Sequence, residues 1–310
     1  MSFCLRGLMV ACGFFGVVYC LFSLLVVCAW RSAGWLAGNS ELARSRLLFA
    51  TRILPLAGSI LLTLVFALPA FVCLERQIDE DVGTVLFSVS TLLLLAAGWL
   101  RVLAAQAGAA RVVSHWLVGA HALDIDASEP VLQSRQGPPL LLYGVAAPTV
   151  LASEAAVALL SPAELQVAVR HETGHMRSCD NLKKLLVYAA WFPGMAGLEQ
   201  AWQEAAEFAA DAAAISSCDD AVELASALIK LADLAPMCDL PAFTTGLVNC
   251  RALVERRVQR LLDWDETGSH ALAKRWWFLA SAGLAALSFT AAHYGQALLF
   301  THRFTEWFIH

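Results

Sequence analysis

His171-Glu172-Thr173-Gly174-His175 places two histidines four residues apart, with a glutamate beside the first of them. Positions i and i+4 lie on one face of an α-helix, so the two imidazole rings can converge on one metal ion. The glutamate then lies close enough to activate a water molecule without being a ligand itself. Two histidine ligands, a general base and room for a third ligand indicate a zinc hydrolase. The alternative is a helix that carries two solvated histidines.

The residues before the motif predict the helix that contains it. Ser161-Pro162-Ala163-Glu164 has the pattern of a capping box with proline at the first helical position. The mostly apolar run 165–169 follows, as expected of a buried helix. Gly174 inside this helix costs about 1 kcal/mol relative to alanine, which a close approach of another backbone or of a substrate would explain.

An alanine-rich run at 204–214 predicts a second helix with acidic residues on one face. Glu207 and Asp211 are four residues apart. A carboxylate oxygen of Glu207 would complete a zinc site, and Asp211 would accept a hydrogen bond from a ligating imidazole. A solvated acidic face is the alternative. However, no lysine or arginine occurs at 199–215, and unpaired carboxylates in apolar surroundings are costly without a cation. On this argument Glu207 is favoured over Glu204 as the third ligand.

These motifs together resemble those of a known family. H-E-x-x-H, then Asp180-Asn181, then E-x-x-x-D at Glu207 and Asp211 is similar to the pattern of the BlaR/MecR-type membrane metallopeptidases. Those proteins are gluzincins that transduce signals of beta-lactam resistance. The pattern also resembles the related membrane peptidases of the heat-shock and prenyl-protein-processing kinds. The resemblance covers about residues 130–263 and the arrangement of the membrane helices.

The resemblance implies a role for each matching residue. The ligands of Zn2+ would be His171, His175 and Glu207. Glu172 would be the catalytic base, and Asp211 would support a ligand from behind.

Asp180 would also support the site, by capping or buttressing the end of the motif helix. The antibiotic-sensing members continue into a large extracellular penicillin-binding domain. Only a short tail that ends at residue 310 follows the last apolar segment here. Direct beta-lactam sensing by this chain is therefore not expected.

The composition predicts an integral membrane protein, since 59% of the residues are hydrophobic and only 15% are charged. About 20 uncharged residues span a bilayer core. Four segments meet this requirement, at 7–30, 53–74, 83–100 and 276–301. The first is too long for a cleaved signal peptide. We therefore expect three membrane helices within 1–109, a zinc domain at 110–274, and a fourth membrane helix with a short tail at 275–310.

The charges of the loops predict the orientation. Positive charge dominates the loop between the first two helices (Arg31, Arg44, Arg46 and Arg52 against Glu41), and it flanks the segment 101–275. Acidic residues dominate the second loop, at 75–81. By the positive-inside rule the zinc domain is cytoplasmic and both termini lie outside, in a bacterial inner (cell) membrane.

Short strands are predicted at 131–133, 140–143 and 149–152, between proline and glycine residues. The fold class expected is therefore an α-helical integral membrane protein with a cytoplasmic α+β, zincin-like domain. The strand just before the motif helix either pairs with an extended substrate by β-addition or belongs to a plain structural hairpin.

Two further segments leave alternatives open. Residues 184–198 are apolar but too short to span a bilayer, so they dock on the membrane surface or form core, and membrane contact is favoured. Four arginines lie on a later helix: Arg251, Arg256, Arg257 and Arg260. They stabilise an oxyanion or form a basic stripe facing solvent or lipid headgroups, and the stripe is favoured.

The functional expectation is a zinc endopeptidase that cleaves a cytoplasmic or membrane-proximal protein, such as a transcriptional repressor or itself, in signal transduction. Quality-control cleavage of membrane proteins is an alternative. A non-proteolytic membrane signalling scaffold held together by zinc is another, but a structural site needs no base such as Glu172.

A net charge of −5 without a helix-turn-helix or aromatic-basic pattern argues against nucleic-acid binding. The nine cysteines contain no C-x-x-C pair for a metal.

Overall fold

The computed structural model describes residues 3–31, 40–74, 82–125, 129–234, 244–247, 251–264 and 292–309. The predicted fourth membrane helix lies mostly outside these residues, as does the acidic segment 75–81. The described chain is mostly helical and includes one small mixed sheet.

Three helical segments are long and apolar enough to cross a membrane: Phe3–Trp30, Glu41–Leu74 and Ser88–Trp116. They belong to α1 (Phe3–Arg31), to α2 (Glu41–Leu62) with a π-helical turn (Thr63–Ala67) and α3 (Leu68–Leu74), and to α4 (Val82–Trp116). The first three predicted spans lie within these helices, but α2 starts before residue 53 and α4 continues past residue 100. An uncharged stretch ends at the first charged residue, whereas a helix continues through charged residues that find partners or solvent.

The first two spans are antiparallel and closely packed. A Cβ atom added to Gly7 would lie 2.8 Å from the Phe71 ring, and one added to Gly58 would lie 2.8 Å from the Phe22 ring. Glycine at these two positions therefore lets each aromatic ring rest directly on the backbone of the facing helix.

The C-terminal helix α11 (Tyr294–Ile309) packs against the distorted part of the second span. The Tyr294 hydroxyl donates to the Val65 carbonyl oxygen over 2.8 Å. Pro69, four residues after Val65, has no N–H to donate to that carbonyl in a regular helix. Residues 302–309, where the sequence predicted a tail, belong to this helix.

The sheet has five strands: β1 (His121–Leu123), β2 (Val131–Ser134), β3 (Leu140–Tyr143), β4 (Thr149–Ser153) and β5 (Thr245–Gly246). Their order is β1-β2-β4-β3-β5, and only the β2–β4 pair is parallel. The three predicted strands are confirmed. The sequence missed β1 and β5, which have three and two residues and are too short to show an alternating pattern.

The strand that precedes the motif helix lies inside the sheet. β4 pairs with β2 on one side and with β3 on the other. Its residues Val150, Leu151 and Ala152 are fully buried, as in a central strand. The hypothesis that this strand pairs with a substrate is therefore wrong, because both of its edges are used. The structural hairpin is the alternative that holds.

Six helices complete the described part of the sheet-containing region. They are α5 (Glu154–Leu159), α6 (Pro162–Arg177), α7 (Asp180–Ala189), α8 (Ala196–Ala214), α9 (Cys218–Leu234) and α10 (Arg251–Leu262). The predicted capping box of α6 is confirmed: Ser161 Oγ accepts from the Glu164 N–H at 3.1 Å, and Glu164 Oε2 accepts from the Ser161 N–H at 2.7 Å.

Two apolar cores hold these elements. The first joins one face of the sheet to α6, α9 and α10. The second joins α1 and α2 to α7 and α8, and it buries Val187, Met195 and Leu198. Part of the segment 184–198 is therefore core, contrary to the favoured membrane contact. Trp191 in that segment is 55% exposed.

Candidate metal centre

The two helices α6 and α8 place the predicted site residues side by side. α6 carries the H-E-x-x-H motif and α8 carries Glu207. A Cβ atom at Gly174 would lie 3.4 Å from the Cα atom of Ala210 on α8, so α8 passes directly over this glycine. The backbone approach expected from the glycine is therefore found, and the approaching element is α8.

Three side chains direct their ligand atoms into a common space. The Nε2 atoms of His171 and His175 are 3.1 Å apart. Glu207 Oε2 lies 3.5 Å from Nε2 of His171, and its Oε1 lies 3.6 Å from Nε2 of His175. All three residues are buried, and their ligand atoms lie within 4.8 Å of one another. This group could hold a metal ion.

The other ring nitrogens face carboxylates. Nδ1 of His171 lies 2.9 Å from Asp211 Oδ1, and Nδ1 of His175 lies 2.7 Å from Asp180 Oδ2. A carboxylate only accepts, so each Nδ1 donates, which leaves the Nε2 lone pair of a neutral ring directed into the common space. Carboxylates behind ligating imidazoles fix the tautomer and the ring orientation.

Asp180 reaches His175 through a tight turn. Cys179 adopts a left-handed backbone conformation with φ of 54° between α6 and α7. This reversal directs the first residue of α7 back toward the last turn of α6. Lys183 also contacts Asp180, with Nζ 2.8 Å from Oδ1. Asp180 is therefore held between His175 and Lys183.

Glu172 is the buried carboxylate of the motif. It is completely buried, and neither carboxylate oxygen has a hydrogen-bond partner among the residues that the structure describes. Burial raises the pKa of this carboxyl group, against the opposing effect of the two motif histidines. An unsatisfied buried carboxylate is costly, so the side chain is positioned for a group from outside the chain, such as a water molecule or a cation.

Arg257 corrects the sequence interpretation of the arginines on α10. It is 1% exposed and lies within the centre. Its Nε and Nη2 bind the two oxygens of Asp211 at 2.8 and 2.5 Å, and its Nη1 lies 3.0 Å from Glu207 Oε2. The favoured basic stripe is therefore wrong for Arg257. The side chain instead holds two carboxylates of α8 in place.

The neighbouring arginines behave differently. Arg256 and Arg260 have half-exposed side chains and pair with Glu204 at 3.0 Å and Glu41 at 2.6 Å. Glu204 pairs with Arg256 and is not part of the group that could hold a metal ion, which agrees with the choice of Glu207. No sequence signal separates Arg257 from Arg256. The distinction depends on which face of α10 meets α8.

The electrostatics favour positive charge at the common space. The pKa of Glu207 is held well below its usual range, because His175 and Arg257 outweigh the opposing effect of burial. Burial lowers the pKa of His175, but Glu207 and Asp180 outweigh it and raise the value to about 10. Arg257 likewise lowers the pKa of Asp211 against burial. A proton or a metal ion at Nε2 supplies the charge that these carboxylates attract.

The donor set fits a divalent metal ion. Two imidazoles and one carboxylate are a common ligand group for transition metals. Four buried carboxylates (Glu172, Asp180, Glu207 and Asp211) surround the centre. In the part of the chain that the structure describes, Arg257 and Lys183 form ion pairs with three of them, and the buried Lys184 ammonium also interacts electrostatically with Glu172, Asp180 and Glu207. A cation at the centre would offset the remaining negative charge.

A polar clamp fixes the edge of the sheet beside the centre. The Asn181 side-chain amide donates to the Gly144 carbonyl at 2.9 Å, and its Oδ1 accepts from the Thr245 hydroxyl at 2.8 Å. Lys184 Nζ donates to the Thr244 carbonyl at 2.6 Å, and burial lowers its pKa. The first turns of α7 thus tie β5 to β3. The sequence offered only the apolar context of Lys184 as a sign of this role.

Comparison of the sequence with protein-family models and with curated proteins gives no match.

Proposed function

We propose that the chain is a membrane-embedded zinc-dependent endopeptidase with a zincin-like catalytic domain. The observation that carries the proposal is Glu172, a fully buried carboxylate without a partner among the described residues, beside three convergent ligand groups. A site that only holds a structural ion needs no such base and usually has four protein ligands. The cytoplasmic location and a protein substrate, such as a repressor, a membrane-proximal protein or the chain itself, belong to the same proposal.

The residues have separate tasks in this mechanism. His171 and His175 through Nε2, and Glu207 through a carboxylate oxygen, would hold the ion. Zinc bound there would supply Lewis-acid polarisation of a substrate carbonyl and a lowered pKa for water. Asp211 and Asp180 keep both imidazoles in the required tautomer by accepting from Nδ1.

Glu172 performs the proton transfers. Its carboxylate takes a proton from water as the water oxygen bonds to the peptide carbonyl carbon. It then gives that proton to the amide nitrogen as the carbon–nitrogen bond breaks, which yields a carboxylic acid and an amine. Its raised pKa favours the first step, because a weaker base would not accept the proton from water.

The test compares the wild type with Glu172→Gln in the full-length chain. Cleavage of co-expressed candidate proteins and of the chain itself is followed by immunoblot, and bound zinc is measured by elemental analysis. We expect Glu172→Gln to retain zinc and to lose activity by about 10²–10⁴-fold. Glu204→Gln is the matched control, since Glu204 lies on α8 but pairs with Arg256 outside the centre. Unchanged cleavage products in Glu172→Gln, with zinc still bound, would support the non-proteolytic scaffold instead.

A further inference from the structure

Arg52 is a buried charge inside the second membrane-length helix. It is 0% exposed and immediately precedes the uncharged stretch 53–74. A guanidinium cannot lose its proton, so its removal from water is costly unless it is paired. Ionisable residues within membrane-spanning segments usually serve a specific purpose and have identifiable partners.

The partners of Arg52 belong to the two helices that follow the metal-binding motif. Nε of Arg52 lies 2.8 Å from Glu199 Oε1, in the first turn of α8. Its Nη2 donates to the carbonyl oxygens of Val187 at 3.1 Å and Ala190 at 2.7 Å, at the end of α7. The Tyr19 hydroxyl of α1 donates to the same Ala190 oxygen at 2.7 Å. One side chain of α2 therefore holds α7 and α8 together.

Both of these helices carry residues of the metal centre. α7 begins at Asp180, which orients His175. On α8, Glu207 lies eight residues after Glu199, which is about 12 Å along the helix axis. The second apolar core packs α2 against α8 over the same region. A shift of α2 would therefore be transmitted through α8 to Glu207, and through α7 to Asp180, the partner of His175.

We propose that Arg52 is a positioning residue that couples the second membrane helix to the geometry of the metal centre. The proposal rests on the proposed function, since it requires that the centre binds a metal. The pairing fixes the end of α7 and the start of α8 relative to α2. Through this linkage a change in the membrane helices, caused by a partner or by lipid, alters the metal centre.

The test uses Co2+ as the probe, with the full-length chain purified in detergent. Visible absorption reports both Co2+ affinity and the geometry around the ion. We expect Arg52→Gln to weaken Co2+ binding by about 2- to 30-fold and to change the absorption bands. Arg52→Lys keeps the charge and should restore part of both properties. Arg46→Gln is the matched control, because Arg46 lies on the same helix and is exposed; it should leave both unchanged.

A double variant removes the risk that Arg52→Gln fails to fold. Arg52→Met combined with Glu199→Leu eliminates both charges, so neither group is left without its partner. It should fold and still show weakened Co2+ binding with altered bands. If Arg52→Gln, or the double variant in its place, binds Co2+ with wild-type affinity and spectrum, the coupling is refuted and the proposed function stands. If the wild type itself does not bind Co2+, both proposals fail.

Discussion

Arg257 gives the sharpest prediction about what holds the centre together. Its replacement by methionine removes the fork that binds both oxygens of Asp211 and the contact to Glu207. It also removes the 2.7 Å hydrogen bond to the carbonyl of Leu247, the residue directly after β5. Two buried carboxylates would then lose the guanidinium that they share.

The expected loss of stability is large. Removal of one partner from a buried ion pair costs about 3–5 kcal/mol, because the remaining charge is buried and uncompensated. For a unit of 150–250 residues this lowers the melting temperature by about 6–20 °C. Arg257→Lys keeps the charge without the planar fork and should lie between wild type and Arg257→Met.

The assay is thermal unfolding of the purified full-length chain, followed by circular dichroism, with and without added Zn2+. The matched control is Arg256→Met, since the half-exposed pair Arg256–Glu204 contributes about 0–1 kcal/mol. Bound metal would supply part of the missing positive charge, so the loss in Arg257→Met should be smaller with Zn2+. Equal losses for Arg256→Met and Arg257→Met would refute the argument.

Three further predictions concern the surrounding structure. Gly174→Ala should retain metal binding, because its Cβ would fit 3.4 Å from Ala210. Gly174→Leu should lose metal binding, because the larger side chain would force α8 away. The metal content of both purified variants tests this. Ser161→Ala should lower stability by about 1 kcal/mol through loss of the α6 cap, and an unchanged melting temperature would contradict this. Arg170 and a nearby serine outweigh burial and lower the pKa of Asp220 to about 2, from 3.8. This folded-state pKa lies below the unfolded value, so the ionised carboxylate stabilises the fold above about pH 4, and the effect is lost as the pH falls toward 2. The advantage of wild type over Asp220→Asn, about 1 kcal/mol at pH 6 after allowance for solvent screening, should therefore shrink in melting curves below pH 4; a constant difference would oppose this.

The predictions from sequence that succeeded depended on local patterns. The capping box at Ser161 fixed the start of α6, and the i, i+4 spacing placed both histidines on one face. The same spacing on α8 brought Glu207 to the metal-facing side and Asp211 behind His171. Such patterns are visible because every residue involved lies within one or two helical turns.

The failures involve contacts between distant parts of the chain. The role of β4 depended on which strands flank it, and the strand order follows from the whole sheet. Arg257 looked like one of four similar arginines on α10, and its burial depends on Asp211, 46 residues earlier. Arg52 was counted as a loop charge, and its partner Glu199 lies 147 residues later. Sequence reasoning places a charged side chain at the surface, because the sequence does not show which distant carboxylate pairs with it.

The burial of Arg52 also bears on the predicted orientation. The positive-inside rule concerns charges that stay in loops near the membrane. Arg52 is enclosed by α7 and α8, so it no longer counts as a loop charge. Arg44 and Arg46 at the same end of α2 remain, against Glu41, which pairs with Arg260 of α10. This end of α2 thus contacts the helix that delivers Arg257 to the metal centre. That the first loop and the zinc domain share one side of the membrane stays a prediction, and it does not depend on Arg52.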